Sequence, residues 1–219
     1  MYLKPIIILS AGTASGCGKT ATAEAIIRLL SAKGRVGACK ITVDHGDNQK
    51  PHEAKSFGII KGLETKFLIA TEKSIISRPG SDTQRFCDSG ASPVVWITTK
   101  PEHLAASWDE ALPLFSGCTA VVIESNSLAR IEPNAFKLFT LDPTVPQRYW
   151  KESAADLIGS ADMLIFNNRG TRSESEVLRE TVRELRVEGL PSVEVRHPSE
   201  LIELSDLEKL LELITSRKS

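Results

Sequence analysis

Short apolar runs of strand length recur along the chain, at Pro5–Ser10, Val36–Ile41, Pro93–Thr98, Thr119–Glu124, Asp162–Asn167 and Ser192–Val195. Several lack the period-two alternation of a half-exposed strand, which is the pattern of strands covered on both faces. Between them the spacing turns helical. Over Ala21–Leu30 the residues Ala23, Ile26, Ile27 and Leu30 fall on one stripe, and Gly34 supplies a C-terminal stop. Further helices are predicted over Pro101–Leu114, Ser153–Ser160, Ser173–Glu188 and Ser199–Ile214, each begun or preceded by Ser, Thr or Pro. Strand and helix alternate almost throughout, so the expected fold is α/β, a three-layer arrangement with a mostly parallel central sheet flanked by helices.

Two stretches break the alternation. From Thr42 to Gly62 the chain is polar and rich in His, Asp and Lys without a sustained period, which reads as a loop or lid after the second strand. From Ile131 to Tyr149 a short apolar piece, Phe136–Leu141, runs into Asp142-Pro143-Thr144-Val145-Pro146, whose prolines read as a connection and not a helix. The length, 219 residues with 41% hydrophobic content, is enough to bury a full core and favours one domain over residues 1–219.

The chemistry concentrates after the first strand. Gly12-Thr13-Ala14-Ser15-Gly16-Cys17-Gly18-Lys19-Thr20 follows an apolar strand and opens the first helix at Ala21, the context that a phosphate loop (P-loop) requires. Glycines and small residues let successive backbone N–H groups turn inward around phosphate oxygens, and the helix N-terminus adds its partial positive charge. Lys19 is then expected to reach the outer phosphates and the Thr20 hydroxyl to ligate Mg²⁺. Thr13 stands where the usual pattern has glycine, which is displaced to Gly12.

In an open parallel sheet ligands sit beyond the carboxyl ends of the strands, so polar residues that end apolar runs are the next candidates. Glu124 ends one such run and is expected to hold Mg²⁺ or orient an attacking water. Asp82, in the turn Arg78-Pro79-Gly80-Ser81-Asp82-Thr83, is a second acidic candidate for metal and catalysis, with a plain helix cap by Asp or Thr as the other reading. Asn167 lies in the run ending Phe166-Asn167-Asn168, where a side-chain amide can pair with a purine edge, with Asn as a plain turn former as the other reading. Asp44-His45-Gly46-Asp47 with His52-Glu53, and Cys39 upstream, hold metal-ligand types, so a transition-metal site and a solvated loop are both open readings.

Charge narrows the partners. Acidic and basic residues nearly cancel, 28 against 27, so no global field recruits nucleic acid or an anionic membrane, and an anion site must be made locally. The longest apolar run near the N-terminus, Ile6–Leu9, is far short of the roughly 18 residues of a membrane span. Its flanks do not read as a signal peptide, and a cytoplasmic address is expected. Four scattered cysteines without a Cys-x-x-Cys pair fit thiols in a reducing compartment.

The Gly-Thr-x-x-x-x-Gly-Lys-Thr form of the loop resembles that of dethiobiotin synthetase and its relatives. Three more places, Val36-Gly37-Ala38-Cys39-Lys40, Pro79-Gly80-Ser81-Asp82-Thr83 with Ser89-Gly90-Ala91, and Val121-Val122-Ile123-Glu124, resemble the molybdopterin-guanine dinucleotide biosynthesis protein B (MobB-like) family of P-loop NTPases. The resemblance implies a fold of the dethiobiotin synthetase class, homodimerisation, GTP with Mg²⁺, and an auxiliary role in attaching a nucleotide to molybdopterin. The expected function is Mg²⁺-dependent binding and hydrolysis of GTP or ATP in cofactor biosynthesis. The alternative is an ATP-dependent ligase or kinase resembling dethiobiotin synthetase, acting on a small molecule. A regulatory protein without turnover is disfavoured by the presence together of Lys19, Thr20 and Glu124. No Asn-Lys-x-Asp motif appears, Asn167-Asn168 being followed by Arg169-Gly170, so the base stays open between GTP and ATP.

Overall fold

The computed structural model describes residues 4–45, 66–151, 153–168 and 189–202, together with Arg183 and Glu212. Eight strands lie in one sheet: β1 (Ile6–Gly12), β2 (Val36–Val43), β3 (Phe67–Ala70), β4 (Val94–Thr99), β5 (Ala120–Glu124), β6 (Phe136–Leu141), β7 (Met163–Asn167) and β8 (Ser192–Val195). Their order is β3-β4-β2-β5-β1-β6-β7-β8, and every pairing is parallel except that of the edge strand β3 with β4. The helices are α1 (Lys19–Ser31), α2 (Lys73–Ile76), α3 (Asp82–Asp88), α4 (Leu104–Ala111), α5 (Asn126–Ala129) and α6 (Ala154–Gly159).

Side chains alternate across the sheet, and the two faces bury different sets. Ile8, Ala38, Val94, Val122, Leu138 and Ile165 pack with Ala23, Ile26 and Ile27 of α1 and Phe86 of α3. On the other face Leu9, Cys39, Val95, Val121, Phe139 and Leu164 pack with Leu104 and Trp108 of α4, Leu128 of α5 and Leu157 of α6. Both faces of the central strands are therefore apolar, as their unbroken hydrophobic runs imply, and the fold is a three-layer α/β arrangement with a mostly parallel central sheet.

The six predicted strands all form, and the region expected to be one helix over Pro101–Leu114 is α4 between two 3-10 turns, Pro101–His103 and Leu112–Phe115. Pro113 explains the second turn, because it has no N–H for an α-helical bond. Two strands go beyond the sequence reading. Phe136–Leu141, there part of a connection, is a central strand between β1 and β7; Phe136 and Leu138 serve one core, Phe139 and Leu141 the other, and the prolines fall after its end. β3 is a four-residue edge strand, too short to show a period. Of the helices predicted over Ser173–Glu188 and Ser199–Ile214, only Arg183, Glu212 and the 3-10 turn Pro198–Ile202 lie within the described residues. In the polar stretch, Thr42 and Val43 complete β2, and residues 46–62 are outside the described residues.

Phe139 is 1% exposed at the middle of the sheet. Phe139→Ala is expected to destabilise the protein by about 3 to 5 kcal/mol through lost burial and the cavity left behind. Urea unfolding of the two proteins measures the difference; a loss below about 1 kcal/mol would place β6 outside the core.

Candidate functional site

Strand parity assembles the centre of the site. In the parallel register Ser10 of β1 faces Glu124 of β5, and Glu124 faces Lys40 of β2. All three lie two residues beyond Ile8, Val122 and Ala38, so their side chains emerge on the sheet face that carries α1 and α3. The chain ends of those helices meet them there. Ser10 Oγ donates to the Lys19 carbonyl at 2.8 Å, tying the start of α1 to β1.

Lys40 Nζ stands between two carboxylates, 2.6 Å from Glu124 Oε1 and 2.8 Å from Asp82 Oδ2. The other Asp82 oxygen accepts from Thr20 Oγ1 at 3.2 Å, so the network runs from β5 through β2 and α3 to α1. Glu124 is 3% exposed, and its second oxygen, Oε2, is buried without a hydrogen-bond partner. Burial would strip the proton from Lys40, but Glu124 and Asp82 outweigh it and hold the ammonium above the usual lysine range. Burial likewise pushes Asp82 up, and the Lys40 charge with the hydrogen bonds from Lys40 and Thr20 more than reverses this, so its carboxyl sits below the usual range.

Asp82 is free to turn this way because it is not the helix cap. Ser81 caps α3, its Oγ accepting from the Gln84 amide at 3.1 Å, while Gln84 Oε1 accepts from the Gly80 amide at 2.8 Å. The reading of Asp or Thr as the cap is corrected accordingly.

The loop Gly12–Thr20 is held from both sides. Asn126 grips Gly12 with both ends of its amide, accepting from Gly12 N at 3.0 Å and donating to Gly12 O at 2.8 Å. The Thr13 amide donates to Thr140 O of β6, and the Lys151 amide donates to Thr13 O. A side chain at Gly12 would come within 2.6 Å of both Cys17 Sγ and Thr140 O, which explains why glycine sits at this position and Thr13 follows. Gly18 takes the left-handed conformation, φ 113°, and a Cβ there would lie 2.8 Å from Asn167 Nδ2. Lys19 Nζ bonds back to the Ala14 carbonyl at 2.6 Å.

Asn167 differs from the sequence reading. It is fully buried beneath the loop, its Nδ2 donating to Cys17 O at 2.8 Å while its Oδ1 has no hydrogen-bond partner. Cys39 points into the core on the opposite face from Lys40, and burial pushes its thiol up, which is poor metal-ligand chemistry. Among the described residues no group of three His, Cys, Asp or Glu is placed to hold a metal, and Gly46, Asp47, His52 and Glu53 lie outside them.

A cavity of about 630 Å³ opens over these groups. Ser15, Gly16, Gly18, Lys19 and Thr20 line it with Lys40, Asp82 and Glu124, and it continues past Thr42, His45, Ser74, Arg78 and Trp96. Thr20 Oγ1, Asp82 and the unpartnered Glu124 oxygen are hard donors of the kind Mg²⁺ accepts, and the loop with the α1 N-terminus could hold phosphates. Lys40 and Asn126 were not among the predicted site residues. In the sequence Lys40 lies inside the apolar run Val36–Ile41 and not at its end, so the strand-end rule marks it less plainly than Glu124. Asn126, two residues after Glu124, gives no comparable signal.

No protein-family model matches the chain, and no curated protein matches it. A structural match is found with a plasmid partition protein of Borrelia burgdorferi B31 bound to AMPPNP, 14% identical, covering 98% of each chain at a TM-score of 0.45. No helix among the described residues is long and apolar enough to cross a membrane.

The ion pairs set a pH window. Lys40, raised, contributes stability that is complete below its ordinary value of 10.5 and is lost as pH rises through its higher folded value. Asp82, depressed, contributes above its ordinary 3.8 and loses that contribution as pH falls through its lower folded value. Asp82→Asn is expected to flatten part of the acid limb, by no more than about 1 kcal/mol because the side chain is a third exposed. Unfolding free energies from neutral pH down to about pH 3 test this; identical limbs would detach Asp82 from acid stability.

Proposed function

We propose that the chain is a Mg²⁺-dependent nucleoside triphosphatase, binding GTP or ATP at Gly12–Thr20 and using Lys19, Asp82 and Glu124 in phosphoryl chemistry. The observation that supports this most directly is the convergence on one cavity of the loop with its lysine, the Thr20–Asp82 hydrogen bond and a buried carboxylate with an unpartnered oxygen. In this reading the loop amides cradle the phosphates, and Lys19 exchanges the Ala14 carbonyl for the outer phosphates. Thr20, Asp82 and Glu124 hold Mg²⁺ directly or through water. The metal, when bound, neutralises charge on the β- and γ-phosphoryl oxygens. Glu124, buried at the end of β5, orients a water toward the terminal phosphate.

Cofactor biosynthesis, molybdenum included, and a homodimer are what the sequence resemblance implies, and they enter as expectations of this proposal. A second reading, transfer of the phosphoryl group to a small molecule, is favoured by the continuation of the cavity to Ser74, Arg78 and Trp96, beyond the loop that would hold the phosphates. Calorimetry with GTP, ATP and their diphosphates, with and without Mg²⁺, defines base and metal. Phosphate release measured over a panel of acceptors separates hydrolysis from transfer.

Lys19→Ala is expected to lower triphosphate affinity by at least about tenfold with the fold intact, since a charge-assisted contact is worth roughly 1.5 to 3 kcal/mol. Equal affinities would remove the loop from nucleotide binding. Thr20→Ala is expected to weaken binding chiefly when Mg²⁺ is present. If the loss persists undiminished in excess chelator, Thr20 is not on the metal.

A further inference from the structure

Lys40 is placed where a metal would have to compete with it. Its ammonium holds one oxygen of Glu124 at 2.6 Å and one of Asp82 at 2.8 Å, the two carboxylates assigned above to Mg²⁺. Glu124 and Asp82 both line the cavity; of their remaining oxygens, Asp82 Oδ1 accepts from Thr20 and Glu124 Oε2 is buried with no partner. Two other cations of the cavity are held elsewhere, Lys19 on the Ala14 carbonyl and Arg85 on Glu24.

We propose that Lys40 is the resident counter-ion of the metal site. In the nucleotide-free protein its ammonium occupies the carboxylates of Asp82 and Glu124, and it yields them to Mg²⁺ only when nucleotide phosphates give it other anions to pair with. Two carboxylates and one ammonium leave a net charge of −1, against −2 without Lys40, so the pull on a divalent ion is weakened and the ammonium repels it at short range. Moving Lys40 away with no other anion present would strand a buried charge. A triphosphate removes that obstacle. Metal and nucleotide then bind as a coupled pair, and the coupling is reciprocal. Lys40 is in this sense a positioning residue: it acts on the metal site through the two carboxylates.

The inference rests on the metal assignment under the proposed function, and the test separates the two. Mn²⁺ serves as the probe on the full chain, by calorimetry and by the electron paramagnetic resonance signal of the free ion, with and without a non-hydrolysable triphosphate. Wild type is expected to bind Mn²⁺ weakly alone and much more tightly with the nucleotide. Lys40→Met is expected to raise nucleotide-free Mn²⁺ affinity by about tenfold or more and to shrink the enhancement by nucleotide, whereas Lys40→Arg keeps the wild-type behaviour. A role confined to packing would not raise metal affinity. If Lys40→Met is unfolded in metal-free buffer, Mn²⁺ is expected to restore its circular dichroism, and failure to do so overturns the inference. Nucleotide-free affinity in Lys40→Met equal to or below wild type also overturns it. Metal-independent nucleotide binding by wild type would instead overturn the metal assignment itself.

Discussion

A carboxylate at 3% exposure needs a cation, and the register of three parallel strands supplies one for Glu124. Because Lys40 and Glu124 are paired across β2 and β5, they share a face and a depth, and the ammonium meets the carboxylate at 2.6 Å. The rest of the site is arranged around that pair. α3 begins at Asp82, against Lys40; α1 begins at Lys19, with Thr20 against Asp82. The helix starts are thereby tied to a sheet that has no freedom to shift its register without moving every core side chain to the wrong face.

The same sheet shapes the loop. β5 lies on one side of β1 and β6 on the other, and both reach the loop: Asn126, just past β5, holds Gly12, and Thr140 of β6 accepts from the Thr13 amide. Asn167 of β7 takes the Cys17 carbonyl from below. The carbonyls of Gly12, Thr13, Cys17 and Lys19 are engaged by residues outside the loop, and Lys19 and the start of α1 stand beside the cavity. This preorganisation is what an anion site needs, since donors already oriented require little rearrangement when a ligand arrives. The glycine displacement follows from it as well. Gly12 is where β1 passes closest to Cys17 and Thr140, so the residue without a side chain is required there and not at Thr13.

Much of this was legible in the sequence, for reasons that differ by residue. Unbroken apolar runs can be read as covered strands because a doubly packed sheet has no polar face, and the loop can be read because lysine and threonine have no packing reason to follow a Gly-rich turn. Glu124 and Asp82 were legible from strand-end position and turn context as candidates, yet their meeting through Lys40 was not. It depends on strand order, which places β2 beside β5 although some eighty residues separate Lys40 from Glu124. Asn167 shows the converse: its type and position suggested a base contact, and it does share the sheet face of Glu124, but its amide lies buried against the Cys17 carbonyl, a contact set by where the loop passes and not by the strand. Phe136–Leu141 was obscured by the prolines after it, whose local signal outweighed a six-residue strand with apolar side chains on both faces.

On the proposed reading, charge placement accounts for an anion site on a chain of net charge −1. Long-range attraction is absent, so the local field must come from Lys19, the α1 N-terminus and the inward-turned amides. Two carboxylates beside that loop would cancel much of the field if they stood unpaired. Lys40 pairs with both, and the acidic groups that suit a metal can then lie next to the basic groups that suit phosphate without either neutralising the other. A neutral residue at position 40 would leave the cavity hostile to a triphosphate until a metal arrived, and a neutral residue at position 124 would leave a buried ammonium half-compensated. The arrangement therefore constrains all three side chains at once: the buried carboxylate, the lysine opposite it and the aspartate that opens α3 are interpretable only together.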